Sequence, residues 1–432
     1  MKIAVIGTGF VGVVTAAVYA SFGNEVVGLD IDQSKVDSLS SGKVPFHEPG
    51  LAELLAAVLE TGKLHFTTSY QEAISTADVI VIAVGTPSKP DGSADLSYVL
   101  AAARSLSPFL QTGAVVVVKS TVPPGTLITV AEEIRKETTT QFELASVPEF
   151  LKEGTAVEDT LHPDRVVIGA DAPEAIKRLR ELHAPLQAPV IVVSANSAQM
   201  SKYAANAYLA TRITFINQIA NLCEHAGADI QEVIAAMGVD KRIGKHYWYP
   251  GLGYGGSCFP KDVRELAHFA ETQHEVPNIF SLLSELNESR VEHVFAHWTE
   301  TVGAWSDKKV AVLGLSFKPN TDDTRDAPSL QVIPWLLKQG AQVTGYDPKA
   351  TSQIAKIFGE QSGLQFAENL ESALEQADVI LALIEWPEFL TFDFGKTKLE
   401  KTQYFLDARN QFDPKQITSH GYVYAGIARR QS

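Results

Sequence analysis

Cysteine is nearly absent from this chain, with only Cys223 and Cys258 among 432 residues. So few thiols exclude a disulfide framework, point to a reducing compartment, the cytoplasm, and leave any cysteine chemistry resting on one sulfur. Positive charge is also short: 36 Lys and Arg stand against 51 Asp and Glu, a net charge of −15. A chain of that sign repels a phosphate backbone, which excludes nucleic acid as the main partner, and an anionic small substrate needs local lysines and arginines. Apolar runs stay short of the ~18 residues a membrane span requires. The apolar opening is interrupted by Gly7, Gly9 and Gly12 and runs straight into a second strand-like segment, so it is not read as a cleaved leader. Metal-ligand spacing is missing too: His47, His65, His162 and His183 are scattered, and His293 with His297 lack two further ligands, so no metal is expected. What remains is 45% apolar and 20% charged residues, an ordinary globular composition at a length that calls for two or three cores.

The rhythm along the chain is α/β. Residues 2–6 are a β-branched run, 11–22 have helical spacing, and 25–29 form a second apolar run ending in Asp30. Further runs at 79–84, 115–118 and 166–168 alternate with helical stretches, as in a doubly wound parallel sheet. From Ser197 to about Val302 no strand run occurs, and apolar residues recur at three- and four-residue spacing, so this stretch reads as helices. A helix placed there serves either as a connector and oligomer interface or as a core element within one subunit. The segment from Lys309 to Gly314 echoes Lys2 to Gly7, Gly340 to Asp347 echoes Gly23 to Asp30, and Ala377 to Ile380 echoes Ala77 to Ile80, all at offsets of about 300 residues. Two doubly wound Rossmann-like domains joined by a central helical domain follow, with bounds 1–196, 197–305 and 306–432. The second copy has lost its glycine pattern, which points to a ligand other than a dinucleotide.

Gly7-x-Gly9-x-x-Gly12 follows a strand, opens a helix and precedes Asp30 by eighteen residues. That context is a dinucleotide fingerprint: the glycines admit a pyrophosphate to the helix start, and the acid accepts a ribose hydroxyl, favouring NAD over NADP. Lys35 either touches the ribose edge or is an exposed helix lysine. Val84-Gly85-Thr86-Pro87 and Lys119-Ser120-Thr121 end two strands on the ligand side of such a sheet, where their hydroxyls either face the cleft or cap the next helices. Glu149 and Glu153 sit four apart after another apolar run; on a helical turn both reach one side of the cleft, against the commoner fate of a solvated face. Lys202 and Asn206, four apart on an apolar helix, project together, either to steady a developing alkoxide or to snorkel to solvent. The loop Gly251-Leu-Gly253-Tyr254-Gly255-Gly256-Ser-Cys258-Phe-Pro-Lys261-Asp262 suits wrapping a ligand with backbone N–H groups while presenting Cys258 at a turn. Cys223, in an apolar helical stretch, reads as core.

A dinucleotide domain together with a placed thiol suggests oxidation of an aldehyde through a thioester. In this order the segments resemble the nucleotide-sugar 6-dehydrogenases, the UDP-glucose/GDP-mannose dehydrogenase family, over essentially the whole chain. The resemblance implies oxidation of UDP-glucose to UDP-glucuronate with two NAD⁺, with Cys258 carrying the thioester, or the same chemistry on a UDP-N-acetylhexosamine or GDP-mannose. A non-catalytic binder of NAD and nucleotide sugar is the alternative from another class, disfavoured by the intact Cys258, Lys202 and Asp262. The resemblance further implies that Lys202, Asn206 and Asp262 stabilise oxyanions and manage water held by Thr121. Glu153 becomes the general acid or base and Glu149 a substrate-side carboxylate. Cofactor positions become Gly7, Gly9, Phe10, Val11, Gly12, Asp30, Lys35, Gly85, Thr86, Pro87, Ser120, Thr121, Glu153 and Arg325. Substrate positions become Glu149, Phe150, Leu151, Lys152, Glu153, Lys202, Asn206, Tyr249, Gly251, Gly253, Tyr254, Gly255, Phe317, Lys318 and Arg409. Arg242 resembles an arginine that reaches a neighbouring subunit's site, which presupposes a homodimer through the central helices.

Overall fold

The computed structural model of the protein describes residues 1–397 and 403–429. The chain divides into two compact units, 1–205 with 264–276, and 206–263 with 277–432.

The first unit is built on eight strands: β1 (Lys2–Ile6), β2 (Glu25–Leu29), β3 (Leu64–Thr67), β4 (Val79–Ile82), β5 (Ala114–Val118), β6 (Phe142–Ser146), β7 (Val166–Gly169) and β8 (Val190–Val193). Their order, β3-β2-β1-β4-β5-β6-β7-β8, reverses between β1 and β4, and at such a switch point the carboxyl ends of the strands leave a crevice for a ligand. Pairing is parallel except for β6 with β7, joined antiparallel at Ser146 and Gly169. The central strands are covered on both faces, so alternate residues feed two separate cores and the sequence reads as unbroken apolar runs. Ile3, Val5, Val79, Val81, Val115 and Val117 pack on one side with Val13, Val14 and Ala17. Ala4, Ile6, Ile80, Ile82, Val116 and Val118 pack on the other with Ile74, Val99, Leu106 and Ile134.

The second unit carries β9 (Lys309–Leu313), β10 (Gln342–Tyr346), β11 (Leu364–Phe366), β12 (Val379–Ala382), β13 (Tyr404–Asp407) and β14 (Val423–Gly426). Their order, β11-β10-β9-β12-β13-β14, repeats that of β3-β2-β1-β4-β5-β6 and is parallel throughout. The three echoed sequence segments are thus the corresponding strands of two like sheets. Among the described residues 197–302 hold helices and loops with no strand, as the spacing indicates, and begin within the 32-residue helix Ala195–Ala226. Cys223 lies in the core of the second unit with Ile216 and Ala220, and burial pushes its thiol up, which suits a packing role. None of the described helices is long and apolar enough to cross a membrane.

Candidate active site

In the first unit the turn between β1 and the helix Phe10–Ser21 is shaped by glycine in two ways. Gly7 adopts φ +91°, and a Cβ on Gly12 would overlap the Gly7 carbonyl oxygen, so the helix seats directly on the turn. Gly9 ends the turn with no side-chain cap on the helix and with space open at its Cβ position. Asp30, at the end of β2, is buried; its Oδ2 accepts from the Thr8 N–H at 2.9 Å and hydroxyl at 2.8 Å, and its Oδ1 from the Asp32 N–H at 3.1 Å. Lys35 approaches the same carboxylate at 3.8 Å, and Phe10 packs on Phe46 at 4.8 Å, with Val11 half-buried beside it. An uncapped helix start with an open Cβ position and an acid held at the adjoining strand end fit a dinucleotide's pyrophosphate and ribose.

The hydroxyls after β4 and β5 do not cap helices. Thr86 donates to the Thr121 carbonyl at 2.9 Å and Ser120 to the Val84 carbonyl at 2.7 Å, tying the two strand ends together beside exposed Gly85 and Pro87. The following helices start at uncapped Leu96 and Gly125 instead.

The expected helical turn at Glu149–Glu153 is absent. Pro148 and Gly154 bracket an irregular loop, and only at Ala156 does a helix begin. Nor is Glu149 solvated: it is 8% exposed, with Oε1 accepting from Lys202 Nζ at 3.0 Å and Oε2 from the Leu151 N–H at 2.6 Å. Lys202 is 3% exposed, so this is a buried ion pair and the lysine does not snorkel. Phe150 lies under the Arg165 guanidinium at 3.7 Å, and Lys152 pairs with Asp159 at 3.0 Å. Half-buried Glu153 rides on a turn pinned by Glu48, which accepts from the Gly154 N–H at 2.6 Å and the Ala156 N–H at 2.7 Å. Nothing in the sequence signalled Glu48, which lies more than a hundred residues before its partners.

In the second unit Cys258 directly precedes the helix Phe259–Thr272 and accepts the Asp262 N–H on its carbonyl at 2.8 Å. Its partly exposed sulfur lies 3.4 Å from the Ser257 hydroxyl. The helix start favours negative charge at that position, which suits a thiolate. One turn on, Asp262 is 1% exposed, accepting from Asn206 Nδ2 at 2.5 Å and pairing with Lys261 at 2.7 Å. Lys202 and Asn206 are one turn apart on Ala195–Ala226, as the spacing indicates.

The glycine-rich loop is used differently from a ligand wrap. Its Gly251, Tyr254 and Gly256 N–H groups donate to Asn217 at 2.8 Å, Asn287 at 2.8 Å and the Arg325 carbonyl at 2.9 Å. Gly255 lies where a Cβ would overlap the Asp326 carbonyl, and Gly256, at φ +84°, lies against the Phe317 ring. Glycine here permits close packing and leaves Gly253 and Tyr254 clamped by Asn287, while Tyr249 is exposed. Arg409 donates to the carbonyls of Leu383 and Phe317, both at 3.2 Å, and Lys318 lies 5.3 Å from the Phe317 ring centre, gathering two cations at one edge. Arg325 pairs with Asp323 at 2.7 Å and exposed Arg242 with Asp240 at 2.6 Å. Asp347, the counterpart of Asp30, has Oδ2 filled by the Leu315 and Ser316 N–H groups, the Ser316 hydroxyl and Trp386, and Oδ1 by the Lys349 and Ala350 N–H groups, so the second copy keeps the fold without a free ribose acceptor.

Sequence models of the UDP-glucose/GDP-mannose dehydrogenase family match in three parts: its NAD binding domain at residues 1–187, its central domain at 196–289 and its UDP binding domain at 311–414. The chain is 43% identical over 431 residues to the UDP-glucose 6-dehydrogenase TuaD of Bacillus subtilis, covering 99% of this chain and 93% of that protein. It is 43% identical over 442 residues to the UDP-glucose 6-dehydrogenase of Pseudomonas aeruginosa, covering 99% and 98%. A solved UDP-glucose dehydrogenase from the archaeon Pyrobaculum islandicum matches with TM-score 0.92 at 38% identity, over 99% of this chain and 97% of that one. With a glycine turn and acid fit for NAD in one unit and a thiol at a helix start in the other, the chain belongs to the UDP-glucose/GDP-mannose dehydrogenase family.

Proposed function

We propose that the protein oxidises UDP-glucose to UDP-glucuronate with two NAD⁺ through a thioester on Cys258. The observation that carries the reading is Cys258 at the start of Phe259–Thr272, with Asp262 one turn on and held by Asn206 and Lys261. The relatives named above supply the sugar. NAD⁺ supplies a hydride acceptor for each of the two oxidations, and Gly7, Gly9, Phe10, Val11, Gly12, Asp30 and Lys35 hold it, with Gly85, Thr86, Pro87, Ser120, Thr121, Glu153 and Arg325 completing its surroundings.

Cys258 adds as thiolate to the C6 aldehyde, and the sulfur–carbon bond survives the second oxidation as a thioester. Lys202 and Asn206 donate to the oxygen that becomes negative at C6, and Asp262 orients Asn206. Glu153 and Thr121 prepare the water whose attack releases the carboxylate and returns the thiol. Glu149 is the substrate-side carboxylate beside Phe150, Leu151 and Lys152. Lys318 and Arg409, with Phe317, meet the diphosphate end, and the 249–255 loop lies against the sugar. Measured by absorbance at 340 nm, complete conversion is expected to yield about two NADH per UDP-glucose, the electron count of alcohol to acid. One NADH per sugar means the chemistry stops at the aldehyde, and turnover of GDP-mannose without UDP-glucose reassigns the substrate.

The working unit is a homodimer, and the cytoplasm is its compartment, in keeping with two free thiols. Tyr208, Phe215 and Leu222 recur every seven residues along Ala195–Ala226 and are 60%, 47% and 64% exposed, an apolar stripe suited to a second copy's helix. Arg242 then serves the partner's substrate. Light scattering is expected to give twice the monomer mass, and Phe215→Glu with Leu222→Glu to give monomers. A monomeric parent at assay concentration contradicts this. Functional domains at 1–196, 197–305 and 306–432 are supported by the three matched stretches.

A further inference from the structure

Beside Glu149 the first unit holds a half-open cavity of about 210 Å³, walled by the helix Phe10–Ser21, the end of β5, residues 147–152, residues 159–166 and the end of the helix Pro173–His183. Most charged groups on its wall are committed or face solvent. Lys152 is paired with Asp159, Arg165 is stacked on Phe150, and His162 and Asp164 are exposed. His183 lies 2.7 Å by Nδ1 from the Leu179 carbonyl, so Nδ1 carries the proton and Nε2 accepts the Tyr19 hydroxyl at 2.9 Å. Burial holds that imidazole down to about 4, hence neutral.

Lys119 is the exception. It is 9% exposed and lines the cavity, yet among the described residues no acceptor lies within hydrogen-bond reach of its Nζ and no carboxylate within 4 Å. Burial pulls its amine down to about 8; the Glu149 carboxylate opposes the fall and the Lys202 ammonium adds to it. A buried ammonium with no partner is costly, so an uncommitted lysine beside the Glu149–Lys202 pair changes its charge readily. A polar-walled space of this size accommodates several waters.

We propose that Lys119 is a proton-relay residue acting through Glu149. On oxidation, the proton of the sugar's C6 hydroxyl passes to Glu149, a water chain in the cavity carries it to Lys119 in its unprotonated form, and the ammonium so formed releases it to solvent, restoring both groups. This rests on the reading of Glu149 as the carboxylate beside the sugar. The relay asks for a group that gains and loses a proton, not for a fixed positive charge. Arginine, which stays protonated, is therefore the discriminating substitution.

The experiment uses the full chain with UDP-glucose and NAD⁺. A parent that forms about two NADH per sugar establishes the underlying reading without reference to Lys119; a parent inactive on every nucleotide sugar removes that reading and the relay with it. Lys119→Met and Lys119→Arg are each expected to lose at least about tenfold in kcat, within the range of general acid–base effects, with both KM values within about twofold. Methylamine added to Lys119→Ala is expected to restore turnover in proportion to its neutral form. Parent-like kcat in Lys119→Arg shows that charge alone suffices and overturns the relay. Parent-like kcat in Lys119→Met, or a Lys119→Ala variant unmoved by methylamine, overturns it equally. Should the Met and Ala variants fail to fold, the Arg variant decides.

Discussion

Cys258→Ser is expected to abolish net oxidation of UDP-glucose, lowering the steady rate of NADH formation by about 10³-fold or more, as removal of a nucleophile does. The substitution changes one atom at a partly exposed position, where the Ser257 hydroxyl at 3.4 Å accommodates an oxygen as well as a sulfur. Folding and nucleotide binding are therefore expected to persist, and the loss falls on chemistry. A hydroxyl is barely ionised near neutral pH, a thiol is the far stronger acid and, as its anion, the better nucleophile, and an oxygen ester lacks the reactivity of a thioester toward water. Rapid mixing with excess enzyme is expected to show at most one NADH per sugar in the variant against two in the parent, and intact-protein mass should reveal any sugar left attached. Full turnover of Cys258→Ser removes the thioester route. Cys223→Ser supplies the contrast: in the core of the second unit its cost is expected in thermal stability, with kcat unchanged.

The parts of the fold that were legible in the sequence are those whose physics is local. A strand, a Gly-x-Gly-x-x-Gly turn, a helix and an acid at the next strand end specify the first βαβ unit because each requirement falls within thirty residues, and the repeat at an offset of about 300 carried the same reading to the second sheet. Strands β3, β8, β11, β13 and β14 went unread. Leu64–Thr67 and Leu364–Phe366 interleave polar with apolar residues, and β8 is a half-exposed edge whose four apolar residues run directly into the next helix. Such segments become strands because neighbouring strands offer hydrogen bonds, which no short window records.

Legibility of the candidate site fails for a related reason. The spacing of Glu149 and Glu153 matched a helical turn, but the chain runs irregularly from Pro148 to Gly154, and Glu149 is buried against Lys202, fifty-three residues later. Gly255 and Gly256 of the glycine loop pack against Asp326 and Phe317 in a distant segment, a contact that no local pattern records. Lys119 carried no signal of its own. Its desolvation comes from the closure of residues 147–166 and two helices around the strand end, a consequence of tertiary packing alone.

That buried pair yields the second large effect. Lys202→Met removes the one cation among the described residues in hydrogen-bond contact with Glu149, leaving a carboxylate 8% exposed with the Leu151 N–H as its remaining donor among the bonds described above. Breaking a buried ion pair from one side costs roughly 3–5 kcal/mol, with the low end expected here because Lys119 lies near enough to attract the same carboxylate. Loss of the donor to the C6 oxygen is expected to lower kcat by about 10²–10³-fold as well. The two effects separate in the double variant. With Glu149→Gln added, no unpaired charge remains, and stability is expected to return to within about 1–2 kcal/mol of the parent, since replacing both members of a buried pair is far cheaper than removing one. Activity is not expected to return with it. Urea midpoints and kcat measured on the two single variants and the double variant complete the cycle. A double variant as unstable as Lys202→Met shows that the two side chains are not coupled, and recovery of kcat alongside stability reduces the pair to scaffolding. Recovery of stability alone makes the pair a catalytic device held in place at the expense of burying two charges.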